Sequence, residues 1–141
     1  MKTKLLTSAI VLTLMIGLSA CKKKEQPQPE PEPTVMELLT KSEWNSTHIE
    51  SYDNSGNLTG SSPYNYAMEL TNSGNYYVKD NSNNMVTYGT FSVNENADPK
   101  TITLTPNSGT PGTYQIITLN ETEMKWKLPD AGGYFLIYFE R

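Results

Sequence analysis

The chain has 141 residues, a formal net charge of −4 and one cysteine. These values favour one domain and exclude a disulfide framework and a multi-cysteine zinc site. The acidic balance argues against nucleic-acid binding, because phosphate recognition needs a basic face. Charged residues make up only 18%, while the aromatic residues include nine tyrosines. With its Asn, Ser and Gly clusters, this composition favours short strands and tight turns over a helical bundle.

The first 20 residues predict a secretory signal peptide. Lys2 and Lys4 give it a positive start, and the uncharged apolar stretch that follows is shorter than the roughly 20 residues of a bilayer span. Residues 18–21, Leu-Ser-Ala-Cys, resemble a bacterial lipobox. The resemblance implies cleavage before Cys21 and lipidation of that residue, which would make Cys21 a membrane anchor and not a nucleophile.

Residues 21–33 predict a tether between this anchor and the folded part. Its alternating prolines offer no apolar core and favour extended polyproline II. Loss of Lys2 and Lys4 with the signal peptide takes the net charge from −4 to −6. The basic run 22–24 either contacts anionic headgroups or solvates the tether. The lipobox resemblance implies a cell-envelope location, anchored to the outer membrane, on its periplasmic face or at the cell surface.

Residues 34–141 predict an all-β domain. A short helix over Val35–Leu39, with Thr34 as its N-cap, precedes eight strand-like runs. The Asn- and Gly-rich turns between these runs favour antiparallel hairpins, and eight such strands avoid exposed edges best by closing into an up-and-down barrel. The predicted strands cover 43–52, 64–71, 75–80, 85–94, 101–105, 113–119, 123–128 and 134–140.

Alternation of apolar and polar side chains predicts which residues point into the barrel. The candidates for lining its interior or mouth are Trp44, Met68, Leu70, Tyr76, Phe91, Tyr114 and Trp126. An eight-stranded barrel has room for its own side chains or one small ligand, so a filled and a hollow interior both stay open. A further tyrosine set fits either the mouth or the wall: Tyr64, Tyr66, Tyr77, Tyr88, Tyr134 and Tyr138.

The last predicted strand differs from the others because residues 134–139 are apolar on both faces. Such a strand is either covered on its outer side as well, or it forms an exposed patch.

Four stretches resemble, in order and spacing, the small lipocalin-like lipoproteins of Bacteroidetes. The first is Leu39–Trp44, where the family has Leu and then Gly-x-Trp, and Ser42 replaces the Gly. The others are the hairpin Met68–Tyr76, the Gly-Thr-Phe of 89–91 and the Leu-Asn-Glu-Thr-Glu-Met of 119–124. The resemblance implies an eight-stranded antiparallel lipocalin-like barrel with a short N-terminal helix, located in the cell envelope and without catalytic residues.

No constellation of residues predicts an enzyme. His48, the single imidazole, falls on the Trp44 face if the first strand has no bulge, which favours a core or rim residue over a general base. The Asp-Asn-Ser-Gly-Asn of 53–57 lacks the spaced acids and closing Glu of a calcium loop, so it predicts a turn. We therefore predict no catalytic residue, no metal site and no cofactor.

The leading hypothesis is a lipid-anchored envelope protein that binds a small apolar molecule or a protein. A carrier would use the inward residues and the barrel mouth. One alternative is an envelope-anchored inhibitor of a lysozyme-like enzyme or protease, acting through a protruding loop at 54–63 or 107–112 with help from its negative charge. The other is a structural component of an envelope complex.

Overall fold

The computed structural model describes residues 30–80 and 82–141. The predicted signal peptide, the lipidation residue Cys21 and most of the tether lie outside these ranges. Glu32–Arg141 form a separate compact unit. In the part of the chain that the structure describes, no helix is long and apolar enough to cross a membrane.

The described residues form one short helix followed by nine strands. The helix α1 covers Val35–Thr40, as predicted to within one residue. The strands are β1 Trp44–Asp53, β2 Leu58–Pro63, β3 Ala67–Leu70, β4 Asn75–Lys79, β5 Met85–Asn94, β6 Thr101–Pro106, β7 Gly112–Leu119, β8 Glu123–Asp130 and β9 Gly133–Glu140.

These strands close into an eight-stranded antiparallel barrel. Neighbours in sequence pair from β3 to β9, and β9 returns to pair with β1 along nearly its whole length, with Tyr52 opposite Tyr134. Both β2 and β3 pair with β1, so together they occupy one interrupted strand position. The predicted all-β, up-and-down barrel with a short N-terminal helix is confirmed.

The structure corrects the sequence prediction at this interrupted strand. Residues 58–63, predicted as part of a protruding loop, form β2, and the strand predicted to begin at Tyr64 begins at Ala67. All six residues of β2 are exposed, so the segment has no apolar alternation that sequence analysis could detect. Its strand conformation depends on backbone pairing with β1 beyond the turn at residues 54–57.

One end of the barrel, which we call the closed end, is sealed by α1. Thr34 and Glu37 form a capping box, which confirms Thr34 as the N-cap and fixes the start of the helix. Leu39 of this helix and Trp44 beneath it are completely buried, and Trp44 Nε1 donates to the Leu39 carbonyl at 3.0 Å. The Arg141 guanidinium lies 3.7 Å from the centroid of the Trp44 ring. This arrangement leaves the opposite end, the open end, as the accessible one.

The core follows the predicted inward faces. Its buried apolar members are Val35, Leu39, Trp44, Met68, Leu70, Tyr76, Val78, Phe91, Ile102, Leu104, Ile116, Met124, Trp126, Ile137 and Phe139. The strand register places Trp44, Met68 and Met124 towards the closed end, while β2 and the turn joining β8 to β9 lie towards the open end.

Candidate ligand-binding site

A cavity of about 200 Å³ lies inside the half of the barrel away from α1. We call it the open-end cavity. Six of its eight lining side chains are aromatic and none carries a formal charge: Tyr64, Tyr66, Tyr88, Leu104, Tyr114, Trp126, Ile137 and Phe139. A cavity of about 150 Å³ holds one benzene ring, so this one has room for a single ring or a compact branched group.

The interruption between β2 and β3 brings Tyr64 and Tyr66 to the cavity. The buried Ser46 hydroxyl donates to the Tyr64 carbonyl and accepts from Tyr66 N at 2.8 Å, and Ser46 N donates to the Tyr66 carbonyl at 2.8 Å. The two tyrosine rings are nearly parallel, with their centroids 5.9 Å apart. Ser46 therefore bonds to the backbone of both Tyr64 and Tyr66, which only Asn65 separates.

A β-bulge brings Tyr88 to the cavity. Tyr76 pairs with Gly89 and Tyr77 with Thr87, so Tyr88 is the extra residue on β5. Its ring lies 5.7 Å from the Tyr76 ring and remains 46% exposed. Gly89 beside the bulge has no room for a side chain, because a Cβ there would clash with the Thr105 carbonyl oxygen and lie 2.8 Å from Cε1 of Tyr76. The bulge thus brings the Tyr88 ring to the rim of the cavity, where strict alternation along β5 would not place it.

Trp126 forms the inner wall of the cavity. Its ring centroid lies 5.2 Å from that of Tyr114 and 4.9 Å from that of Phe139. The side chain is 1% exposed, and its Nε1 makes no hydrogen bond within residues 30–80 and 82–141. The chain's other tryptophan, Trp44, uses its Nε1 within the fold. Trp126 is therefore a specific reporter of events in the cavity.

Burial shapes the electrostatics of the cavity. It raises the pKa of Tyr66 and the pKa of Tyr114 above the ordinary tyrosine value, and neighbouring phenols add to both shifts. Both phenols are therefore neutral near pH 7, and the same desolvation disfavours an anionic ligand in this position.

The structure brings two of the seven predicted interior residues to the cavity, Tyr114 and Trp126. The other five do not line it and lie in the packed core, each at most 8% exposed: Trp44, Met68, Leu70, Tyr76 and Phe91. From the second tyrosine set, Tyr64, Tyr66 and Tyr88 reach the cavity, and the Tyr-x-Tyr of 64–66 was the available signal. Ser46 was missed, because one buried serine has no signature in a strand sequence.

His48 does not share the Trp44 face, because the first strand has the bulge whose absence that expectation required. The register of β1 against β9 shifts between Ser46 and His48, and this bulge turns the imidazole to the outer side of the barrel. Ile49 packs against the core in its place. The His48 and Tyr138 rings stack with centroids 4.0 Å apart.

Side chains of β1 and β8 cover the outer face of β9, so its second apolar face is covered and does not form an exposed patch. In each of two sandwiches a β9 tyrosine lies between a β1 ring and a β8 lysine: His48, Tyr138 and Lys125 in one, Tyr52, Tyr134 and Lys127 in the other. The ring centroids are 4.0 and 4.9 Å apart, and the lysine nitrogens lie 4.5 and 3.9 Å from the tyrosine centroids. Both faces of each β9 tyrosine are occupied, so neither offers a flat surface for a ligand.

Glu50 links the two sandwiches. Its Oε2 accepts from the hydroxyl of Tyr138 at 2.5 Å and from that of Tyr52 at 2.9 Å. These hydrogen bonds, Tyr138 first, lower the pKa of Glu50 below its ordinary value of 4.5. Burial, and then the hydrogen bond to Glu50, raise the pKa of Tyr138. The Glu50 carboxylate is therefore used in hydrogen bonds to side chains of the same outer face of the barrel.

The segment 53–57 is a turn in which the Asp53 carboxylate is fully engaged. Its Oδ1 accepts from Ser55 N at 2.9 Å and Asn57 N at 2.8 Å, and its Oδ2 accepts from Asn57 Nδ2 at 3.0 Å. Elsewhere in the described residues, as here, no group of three or more His, Cys, Asp or Glu side chains is arranged to hold a metal ion.

Two larger depressions are distinct from the open-end cavity, although one of them shares Tyr66 with it. One, of about 430 Å³, runs between α1 and β7 and is lined partly by Leu38, Ile117 and Leu119. The other, also about 430 Å³, is a polar hollow beside the β2–β3 interruption. Neither contains a comparable concentration of aromatic side chains, so the smaller cavity is the better candidate for a specific site.

Comparison with known families gives one match. A family model described as a lipocalin-like domain matches residues 41–126, well over half of the chain. The match extends from the residues before β1 into β8 and includes six of the eight cavity residues, from Tyr64 to Trp126. A search of curated proteins found no significant match.

Proposed function

The chain belongs to the lipocalin-like domain family, and from this premise we propose that it is a non-enzymatic binding protein of the cell envelope. In this proposal it is anchored by lipid at Cys21 and takes up one small molecule at the open end of its barrel. Barrels of this kind are generally binding proteins, with side chains or one small ligand inside them. The observation that carries the proposal is the uncharged aromatic cavity of about 200 Å³.

The two ends of the barrel support this choice of site. At the closed end the largest side chain, Trp44, has its ring covered by Arg141 and its Nε1 bonded to Leu39. At the open end Tyr64 and Tyr88 remain 38% and 46% exposed at the rim of the cavity. A ligand can therefore enter past the rim without displacing the seal at the other end.

Binding is tested by NMR on ¹⁵N-labelled Glu32–Arg141, the separate compact unit. The chain has two tryptophans and thus two indole N–H resonances, one at the cavity and one at the closed end. Titration with 2-naphthol, cyclohexanol and tetramethylammonium should move the Trp126 resonance with at least one compound and leave that of Trp44 in place. Movement with none of the three would contradict the proposed function.

The lipid anchor is an independent part of the proposal and rests on the lipobox-like sequence at residues 18–21. Changing Cys21 to Ala should abolish lipidation and release the protein from the membrane fraction. Ser19→Thr, which keeps the Cys, serves as the processing control. Membrane fractionation and intact mass provide the measurement, and a Cys21→Ala protein that still fractionates with outer membranes would contradict the anchor.

The inhibitor alternative stays a prediction and would act through the β1–β2 hairpin. All residues of β2 are exposed, which gives this hairpin an accessible surface. If the protein is an inhibitor, Glu32–Arg141 should slow a lysozyme or protease at low salt, and exchange of residues 54–57 for an equal-length turn should remove the effect.

A further inference from the structure

We propose that the open-end cavity recognises a trimethylammonium group, so that the ligand is a small quaternary ammonium compound of the choline type. This inference rests on the proposed function, because it names the class of ligand for the same cavity. It concerns the charge of the ligand, which membership in the family leaves open.

The composition of the lining favours a weakly hydrated cation. Five of the six aromatic rings belong to Tyr or Trp, the rings with the most negative faces, and aromatic groups arranged around a quaternary ammonium attract it electrostatically. A site for an acyl chain would be expected to have a mainly aliphatic lining, whereas here Leu104 and Ile137 are the aliphatic members.

The absence of formal charge in this lining argues against anions and against cations that need hydrogen-bond acceptors. An anion would find no Lys, Arg or His among the eight lining residues and would face the desolvation that already raises the pKa of Tyr66 and the pKa of Tyr114. A primary ammonium or guanidinium would need hydrogen-bond acceptors to replace its water, and the lining contains no carboxylate. A quaternary ammonium donates no hydrogen bond and is satisfied by ring faces alone.

Size and surroundings agree with this ligand. A trimethylammonium head is a compact branched group, which suits about 200 Å³ better than a long chain does. The chain's net charge of −4, or −6 without the signal peptide, attracts a cation and not an anion. The exposed rim tyrosines allow the rest of the ligand to extend into solvent.

The experiment compares choline with 3,3-dimethylbutan-1-ol, which has the same shape with carbon in place of charged nitrogen. Binding of each to Glu32–Arg141 is followed through the two indole N–H resonances. Choline should bind at least about tenfold tighter than the neutral isostere, the factor that corresponds to a partly desolvated cation–π site. Phosphatidylcholine vesicles and free glycerophosphocholine form further arms that separate a lipid headgroup from a soluble ligand.

Variants of the rim supply the matched controls. Tyr88→Leu should weaken choline binding by about two- to fivefold through loss of one ring, while Tyr88→Phe should keep most of it. Tyr77→Leu, the same change on the neighbouring strand but outside the cavity lining, should have no effect.

The outcomes separate the two proposals. Equal binding of choline and its isostere, or binding of 2-naphthol without choline, would overturn the ammonium inference and leave the binding function standing. If choline moves Trp44 as much as Trp126, the cation binds elsewhere and the inference is wrong. If no compound moves Trp126, both proposals fail.

Discussion

The two tryptophans of this barrel have opposite surroundings, and the difference separates its two ends. Trp44 donates its N–H within the fold, at 3.0 Å to Leu39, and carries the Arg141 guanidinium on its ring. Trp126 is equally buried, yet its Nε1 has no partner among the described residues and its ring faces the cavity. The two indole N–H groups therefore differ: the one at the closed end bonds within the fold, whereas the one at the open end is unpaired beside space for a ligand. Among the described residues Arg141 Nε, at the closed end, is also buried without a partner.

The most direct way to break this comparison is to make the same substitution at both ends. Trp44→Phe should lower the free energy of unfolding by about 3 kcal/mol, because it leaves the buried Leu39 carbonyl unpaired and removes part of the ring under Arg141. Trp126→Phe should cost about 1 kcal/mol, since the lost N–H bonded to nothing in the fold. Urea unfolding of both variants measures the difference, and equal losses would contradict it.

The contribution of Arg141 gives the next largest effect. Arg141→Met should lower the free energy of unfolding by about 2 kcal/mol, because a partly buried cation–π contact and the hydrogen bond to the Leu38 carbonyl are lost together. Lys127→Met is the control, since it removes a cation from the Tyr134 ring on the outer wall, where such contacts contribute about 0.5 kcal/mol. Thermal and urea unfolding should rank the variants in this order, and the reverse order would show that Arg141 does not seal the closed end.

The Ser46 hydroxyl, which bonds to the backbone of Tyr64 and Tyr66, is predicted to contribute more to stability than its size suggests. Ser46→Ala should cost about 1 to 2 kcal/mol, because Tyr66 N loses its acceptor in a half-buried position. The amide of Tyr66 should also exchange faster with solvent. Ser62→Ala, an exposed serine of β2, should change neither quantity. Unchanged exchange at Tyr66 in the Ser46 variant would mean that β3 positions this tyrosine without the serine.

The smallest effect concerns the outer wall and depends on pH. The folded pKa of Glu50 is lowered by Tyr138 and Tyr52, so its contribution to stability is complete above pH 4.5 and disappears as the pH falls through the folded value. Glu50→Gln should therefore be less stable than the parent at pH 7, and the two should converge on acidification. A gap that stays constant between pH 7 and pH 3 would contradict the hydrogen-bonded carboxylate.

Most of the fold could be predicted from the sequence, for a simple reason. Inward residues on β3 to β8 alternate with polar neighbours, and turns such as Asn72–Gly74 contain residues that tolerate tight hairpins. Alternation identifies a buried face wherever a strand has one dry and one wet side. Alternation did not reveal β2, because both faces of this strand are exposed to solvent and it is held by backbone pairing with β1.

The candidate site was predicted less well, because bulges and an interruption build it. The bulge at Tyr88 and the one between Ser46 and His48 each insert one residue, which reverses the side-chain alternation that the prediction assumes. The five predicted interior residues that proved to be core, such as Met68 and Phe91, are inward as expected but lie away from the cavity.

The sequence by itself determined the class of protein: local alternation and turn chemistry specify an antiparallel barrel, and nine tyrosines supply its aromatic character. Only the tertiary structure decided where the barrel is filled and where it is hollow. That outcome depends on side chains brought together from distant strands. Arg141 and α1 close on Trp44 at one end, while Ser46 and the Tyr88 bulge hold three of the cavity tyrosines at the other. Such packing depends on how side-chain volumes fit together in space, and the periodicity of the sequence carries no information about that fit.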